Sequence, residues 1–79
     1  MDKPTYNQIQ AVFRIILWEI PREEASAATK WLEDNKSKWE VSKEIARIKA
    51  LKDAHKMTKD EVFNSPIWSE YKELKKEKK

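Results

Sequence analysis

Not one residue of this 79-residue chain is glycine, where an average usage of roughly 7% would supply about five or six. Glycine provides the positive φ angles that two-residue hairpins prefer, so a chain without it leans away from β-meanders and toward helices. The same absence removes whole classes of chemistry. A P-loop, a dinucleotide-binding fingerprint and a nucleophile elbow each need glycine where backbone approaches phosphate or turns sharply. Cysteine is also missing, which excludes a disulfide framework and a thiolate zinc site and leads to the expectation of a cytoplasmic protein. The longest apolar run, Ile15 to Trp18, falls far short of the roughly 18 to 20 residues that span a bilayer, so no membrane association is expected.

Seventy-nine residues suffice for one domain and not for two. The division expected is a single helical domain over residues 1–74 and a basic, frayed tail over 75–79. Of 31 apolar residues, seven are alanine and one is Met1, which leaves 23 large side chains for a thin core. The net charge of +3 comes entirely from the tail, because residues 1–74 carry 13 basic and 13 acidic groups. Within that neutral body the charge is unevenly spread: residues 36–59 hold eight basic and three acidic side chains, whereas residues 1–35 hold four and six.

Helical periodicity and capping signals divide the chain into four or five short helices. Pro4, Thr5 and Asn7 offer a start for the first, and Tyr6, Ile9, Val12, Phe13, Ile16, Leu17 and Ile20 recur along one broad side of it. Pro21 ends that helix and suits the first turn of a second, which runs from about Arg22 to Asp34 with Asn35 as a left-handed cap. Ser37 with Glu40 and Thr58 with Glu61 both match the capping box. The third helix carries an inward stripe of Val41, Ile45, Ile48, Leu51 and His55 and stops near Lys56 or Met57; the fourth carries Val62 and Phe63. Asn64, Ser65 and Pro66 read as stop, cap and first-turn proline, opening a last helix with Ile67, Trp68, Tyr71 and Leu74. The fold expected is all-α, a compact bundle with helix 1 at its centre.

Helix 1 holds nine of the large apolar side chains in fifteen residues, too many for one face. At about 100° per residue, Ala11, Ile15 and Trp18 lie opposite the broad apolar side. Either other helices cover that second stripe, or it faces a partner or a second copy of the chain. Four tryptophans sharpen the question, since tryptophan dominates both small cores and binding hot spots. Trp18 comes first as an exposed anchor and Trp39 second, because Trp39 falls off the inward stripe of helix 3.

The lysines of helix 3 form the competing site. Lys38, Lys49, Lys52 and Lys56 lie near one edge of its apolar stripe, as phosphate binding would need. Glu40, Glu44 and Asp53 are spaced to pair with Lys43, Arg47 and Lys49, the pattern of a solvated helix face. A helix-turn-helix over Val41 to Phe63 fits poorly, with Ala50 where a turn glycine is usual and Lys56 where an apolar anchor belongs. His55, the one histidine, has no triad or metal spacing around it and reads as a packed or capping residue. Paired carboxylates at Glu23 with Glu24 and at Asp60 with Glu61 sit in first turns, where the helix dipole accounts for them.

The sequence thus leads to a non-catalytic protein-binding module of adaptor or inhibitor type, with no catalytic residues, metal, cofactor or small-molecule substrate. Its partner site is Ala11, Ile15, Trp18 and Trp39, and its partner is a protein or a second copy in a homodimer. The alternative is a small nucleic-acid-binding regulator using Lys38, Lys49, Lys52, Lys56 and the tail.

Overall fold

The computed structural model describes residues 2–77, which form five α-helices and one 3-10 turn, with no strand among them. The first helix, α1 (Tyr6–Ile16), starts at a complete capping box. The Gln8 amide donates to Thr5 Oγ1 at 3.1 Å and the Thr5 amide to Gln8 Oε1 at 3.0 Å, so two of the free N–H groups at the helix start are satisfied by each other's residues. At its other end α1 stops four residues earlier than periodicity suggests. Trp18 and Glu19 bond back to the carbonyls of Ile15 and Ile16 in tight turns, at 3.2 and 3.0 Å. Pro21 disfavours helical geometry at Ile20 and drives this early unwinding.

The second helix, α2 (Arg22–Asn35), follows directly, with Glu23 and Glu24 in its first turn. Asn35 does not take the expected left-handed cap. It stays helical and donates from its side chain to the Trp31 carbonyl at 3.0 Å, while Lys36 leaves the helix in extended geometry. Ser37 and Glu40 form a second complete capping box at the start of α3 (Lys38–Asp53). Among the described residues the one positive φ is that of His55, at 58°. The His55 amide bonds to the Lys52 carbonyl at 3.1 Å and the Lys56 amide to the Leu51 carbonyl at 2.9 Å, the bond pattern of a Schellman motif. His55 therefore does not continue the inward stripe of helix 3. It is exposed and performs the capping task that glycine ordinarily performs.

The short α4 (Lys59–Phe63) is capped by the Thr58 hydroxyl, which accepts from the Glu61 amide at 3.1 Å; the reciprocal half of that box is not made. Pro66–Trp68 then form the 3-10 turn, with proline in its first turn as expected, and α5 spans Ser69–Glu77. The helix thus continues through Lys75, the first residue assigned to the tail. Lys78 and Lys79 lie outside the described residues.

One hydrophobic core makes the interior, with an aliphatic part and an aromatic part. In one, Ile9, Val12 and Ile16 of α1 are buried together with Ala25, Ala28 and Leu32 of α2 and Val41 and Ile48 of α3. Helix α1 packs against both α2 and α3, which gives it the central place. It runs parallel to α3: Gln8 Nε2 donates to the Lys38 carbonyl at 3.1 Å near their N-terminal ends, and Lys52 Nζ lies 4.6 Å from the Trp18 ring centroid near their C-terminal ends. The other part is aromatic. Trp68, fully buried, stacks on Trp31 with centroids 6.0 Å apart and meets Phe63 edge-on at 4.9 Å and Tyr71 at 5.5 Å. Such pairs add about 0.5–1.5 kcal/mol each beyond the area they bury, and they pin the C-terminal third to α2. Tyr6 and Leu74, expected on the inward sides of their helices, are instead 73% and 47% exposed. Tyr6 occupies the first helical position and Leu74 lies one turn beyond Tyr71, where the bundle no longer covers them.

Two polar side chains are buried: Thr29, whose hydroxyl donates back to the Ala25 carbonyl at 2.9 Å, and the charged Glu44. Glu44 is only 3% exposed. Its carboxylate accepts from Trp68 Nε1 at 2.7 Å and from Arg47 Nε and Nη2 at 2.9 and 2.6 Å. Arg47 also donates to the carbonyl of Glu61 at 3.0 Å and to that of Val62, so the pair ties α3 to the C-terminal end of α4 and to the 3-10 turn. The expected Glu44 pairing is thus formed, but not on a solvated face: Trp68, far along the chain, closes over it.

Candidate docking surface

The early end of α1 decides how Trp18 is presented. Ile16 is the last helical residue, so Trp18 belongs to the irregular turn Leu17 to Glu19 and not to the packed helical face. It is 68% exposed, whereas Ile16 is fully buried and Ile15 is partly buried against the core. Of the second stripe of helix 1, then, Ala11 and Ile15 are half-covered and Trp18 stands out. The Lys52 ammonium lies over one face of the indole, a cation–π contact that orients the ring without hiding it.

Trp18 forms a ridge between two shallow hollows. One is lined by Glu19, Lys52, His55 and Met57, the other by Arg14 and Leu17. The last turn of α3 therefore meets Trp18 through Lys52, so one residue from each of the two sites read as rivals from the sequence lies at the same end of the α1/α3 pair. Lys38 and Trp39 are not part of it. They sit at the opposite end of α3, with Lys38 Nζ 5.0 Å from the Trp39 ring centroid. At 1.5 Å per residue the separation along the helix is about 20 Å. Trp39 is 65% exposed but shares no patch with Trp18.

Among the described residues the ion pairs are Lys30 with Asp34, Lys36 with Glu70, Arg47 with Glu44, and Lys59 and Lys75 with Glu24. Arg14, Lys49, Lys52 and Lys56 make none among them, and neither do Lys3, Arg22, Lys38, Lys43 and Lys72. The expected pairing of Lys49 with Asp53 is not formed, and Glu40 is engaged in its capping box. Backbone donation from Ser37 is the main influence holding the Glu40 carboxyl below its usual pKa; slight burial opposes it, and the Ser37 hydroxyl and the charges of Lys36 and Lys43 assist.

A charged hollow of about 430 Å³ between α2, α4 and α5, which the sequence does not announce, gathers Glu24, Lys59, Asp60, Tyr71 and Lys75. Glu24 accepts from Lys59 at 2.9 Å and Lys75 at 2.7 Å. Its burial works to raise the carboxyl pKa, but the bonds and charges of the two lysines outweigh that and hold it below the usual value. Burial, aided by the Glu24 charge, pushes the Tyr71 phenol up. The Glu24 carboxylate is thus paired and the phenol kept protonated, an arrangement that closes the bundle at this end. Among the described residues no cluster of three His, Asp or Glu side chains is placed to hold a metal ion, and no helix is long and apolar enough to cross a membrane.

Fold and surface together define a small all-α bundle with one cation-flanked, exposed tryptophan at the end of its central helix. No protein-family model matches the chain, no curated protein matches its sequence, and no solved structure matches its fold.

Proposed function

We propose that this chain is a non-catalytic protein-binding module, of adaptor or inhibitor type, that docks its partner through Trp18 with Ala11 and Ile15 alongside. The observation that carries the reading is the contrast within three residues of chain: Ile16 is fully buried while Trp18 is 68% exposed and held by Lys52. An exposed tryptophan pre-ordered by a neighbour loses little rotamer entropy on binding and brings a large contact area, the properties of a hot spot. Trp39, with no part in that patch, is left outside the docking surface.

The test places a photo-crosslinking amino acid at position 18 and, as control, at exposed Ser42, in cells that make the chain naturally. The expected result is a protein captured from position 18 and not from position 42. Affinity of that protein, purified, should fall at least about tenfold with Trp18→Ala, while the variant keeps its helical circular dichroism and its monomer or dimer state in sedimentation. Equal affinity for both forms overturns the reading. The unpaired Lys49, Lys52 and Lys56 favour a second reading, a nucleic-acid-binding regulator, whose affinity for duplex or single strand would fall steeply with salt.

A further inference from the structure

The connector between α3 and α4, residues 54–58, is closed by a residue in a conformation it disfavours. His55 is left-handed, at φ 58°, where a β-carbon is penalised and glycine would not be. Among the described residues the amides of Met57, Thr58, Lys59 and Asp60 find no acceptor in this closed turn. Nothing in the sequence forbids a straighter path, since no glycine is present and no proline lies between Pro21 and Pro66. If α3 ran on into α4, His55 would relax to right-handed geometry and each of those four amides would gain a carbonyl four residues back. The Thr58 cap would go, but the Glu61 amide it serves would bond to the Met57 carbonyl instead.

Beyond the connector, residues 58–77 form an arm that no backbone-to-backbone hydrogen bond joins to the body among the described residues. Its ties all use side chains. Trp68 Nε1 reaches Glu44 at 2.7 Å, Arg47 holds the Glu61 and Val62 carbonyls, Glu24 holds Lys59 and Lys75, and Lys36 holds Glu70. Each of these ties runs between arm and body, so the arm of another copy can make it identically. We propose that this chain exchanges the arm with a second copy, giving a two-fold dimer in which α3 and α4 are one helix and each arm closes the other body. Because exchange repeats the native contacts, the connector sets its balance, and a short hinge under strain favours it. His55 and the buried Met57 line the hollow beside Trp18. The crossing hinges bring Met57 and Trp18 of both copies to the seam, so that hollow belongs to the closed monomer. The inference goes beyond the docking reading and does not depend on it.

The test mixes light and heavy-isotope-labelled full-length chains at high concentration, takes them to the midpoint of urea unfolding, returns them to native buffer and separates monomer from dimer by sedimentation. Carbodiimide then couples the Glu24 carboxylate to the Lys59 or Lys75 amine, which lie 2.9 and 2.7 Å away. Mass spectrometry of the coupled peptides should find one isotope only in the monomer, and light joined to heavy in the dimer. Two hinge variants, each verified as folded by circular dichroism, read the cause. His55→Ala keeps the β-carbon penalty in the closed turn and favours a continuous helix, whereas His55→Gly removes the penalty and opposes the helix. The equilibrium constant for dimer formation should therefore be about tenfold or more higher for His55→Ala than for His55→Gly. A dimer whose coupled peptides never mix isotopes, equal constants for the two variants, or a wild-type chain that stays monomeric throughout each overturn the inference.

Discussion

His55 closes α3 in a left-handed conformation that a β-carbon disfavours by roughly 1–2 kcal/mol. The chain has no glycine to put there, and the two bonds of the motif, from His55 to Lys52 and from Lys56 to Leu51, offset the strain. His55→Gly should therefore raise stability by about 0.5–1 kcal/mol, the gain being trimmed by the freer unfolded chain, and His55→Val should lower it; urea denaturation reads both. Glu44 carries the opposite lesson. Its i,i+3 relation to Arg47 is plain in the sequence, but burial is imposed by Trp68, 24 residues on, and no local pattern contains that information. Glu44→Leu should cost about 3–5 kcal/mol, because it leaves a guanidinium and an indole N–H without their acceptor in the interior. Adding Arg47→Met should restore much of that loss. A double variant no more stable than Glu44→Leu would show that the bonds from Arg47 to the carbonyls at the end of α4 matter more than the ion pair.

Helix beginnings were legible and helix ends less so, for a physical reason. A start is marked by side chains that satisfy the local backbone, as Ser37 and Glu40 do, so its signal lies within four residues. An end depends on where packing stops rewarding continuation. Apolar spacing ran on to Ile20, yet α1 yields at Ile16 under the constraint from Pro21, and it is that early end which lifts Trp18 out of the bundle. Ser37→Ala should destabilise by about 1 kcal/mol through loss of the cap, measured by thermal or urea unfolding. The cost should shrink if Glu40→Ala is already present, since each side chain serves the other's backbone. Full additivity of the two losses would mean that the box does not act as a unit.

At the scale of the whole molecule, the class of fold was readable because glycine is absent and the apolar periods are helical, and the central place of α1 because it carries more greasy surface than one face can hold. The candidate site was readable only in halves. Trp18 followed from the helical wheel and Lys52 from the basic edge of α3, but their meeting depends on the parallel pairing of α1 with α3, which no residue spacing specifies. The closure of the bundle's other end was equally hidden: Glu24 draws Lys59 and Lys75 to α2 from positions 35 and 51 residues onward. Its pH dependence can be worked out. The folded carboxyl titrates below its unfolded value of about 4.3, so folding favours the ionised form. That stabilisation is complete well above the unfolded pKa and is lost as pH falls through the folded one. Unfolding free energy should then drop between neutral pH and about pH 3, and Glu24→Gln should drop less, with the two curves converging in acid. Added salt should narrow the gap at neutral pH, because Lys59 and Lys75 remain half exposed. A gap between wild type and Glu24→Gln that stayed constant across the titration would mean that the bridge holds no net charge energy, and that the aromatic cluster of Trp31, Phe63, Trp68 and Tyr71, with the Lys36–Glu70 pair, fastens the C-terminal helices to α2.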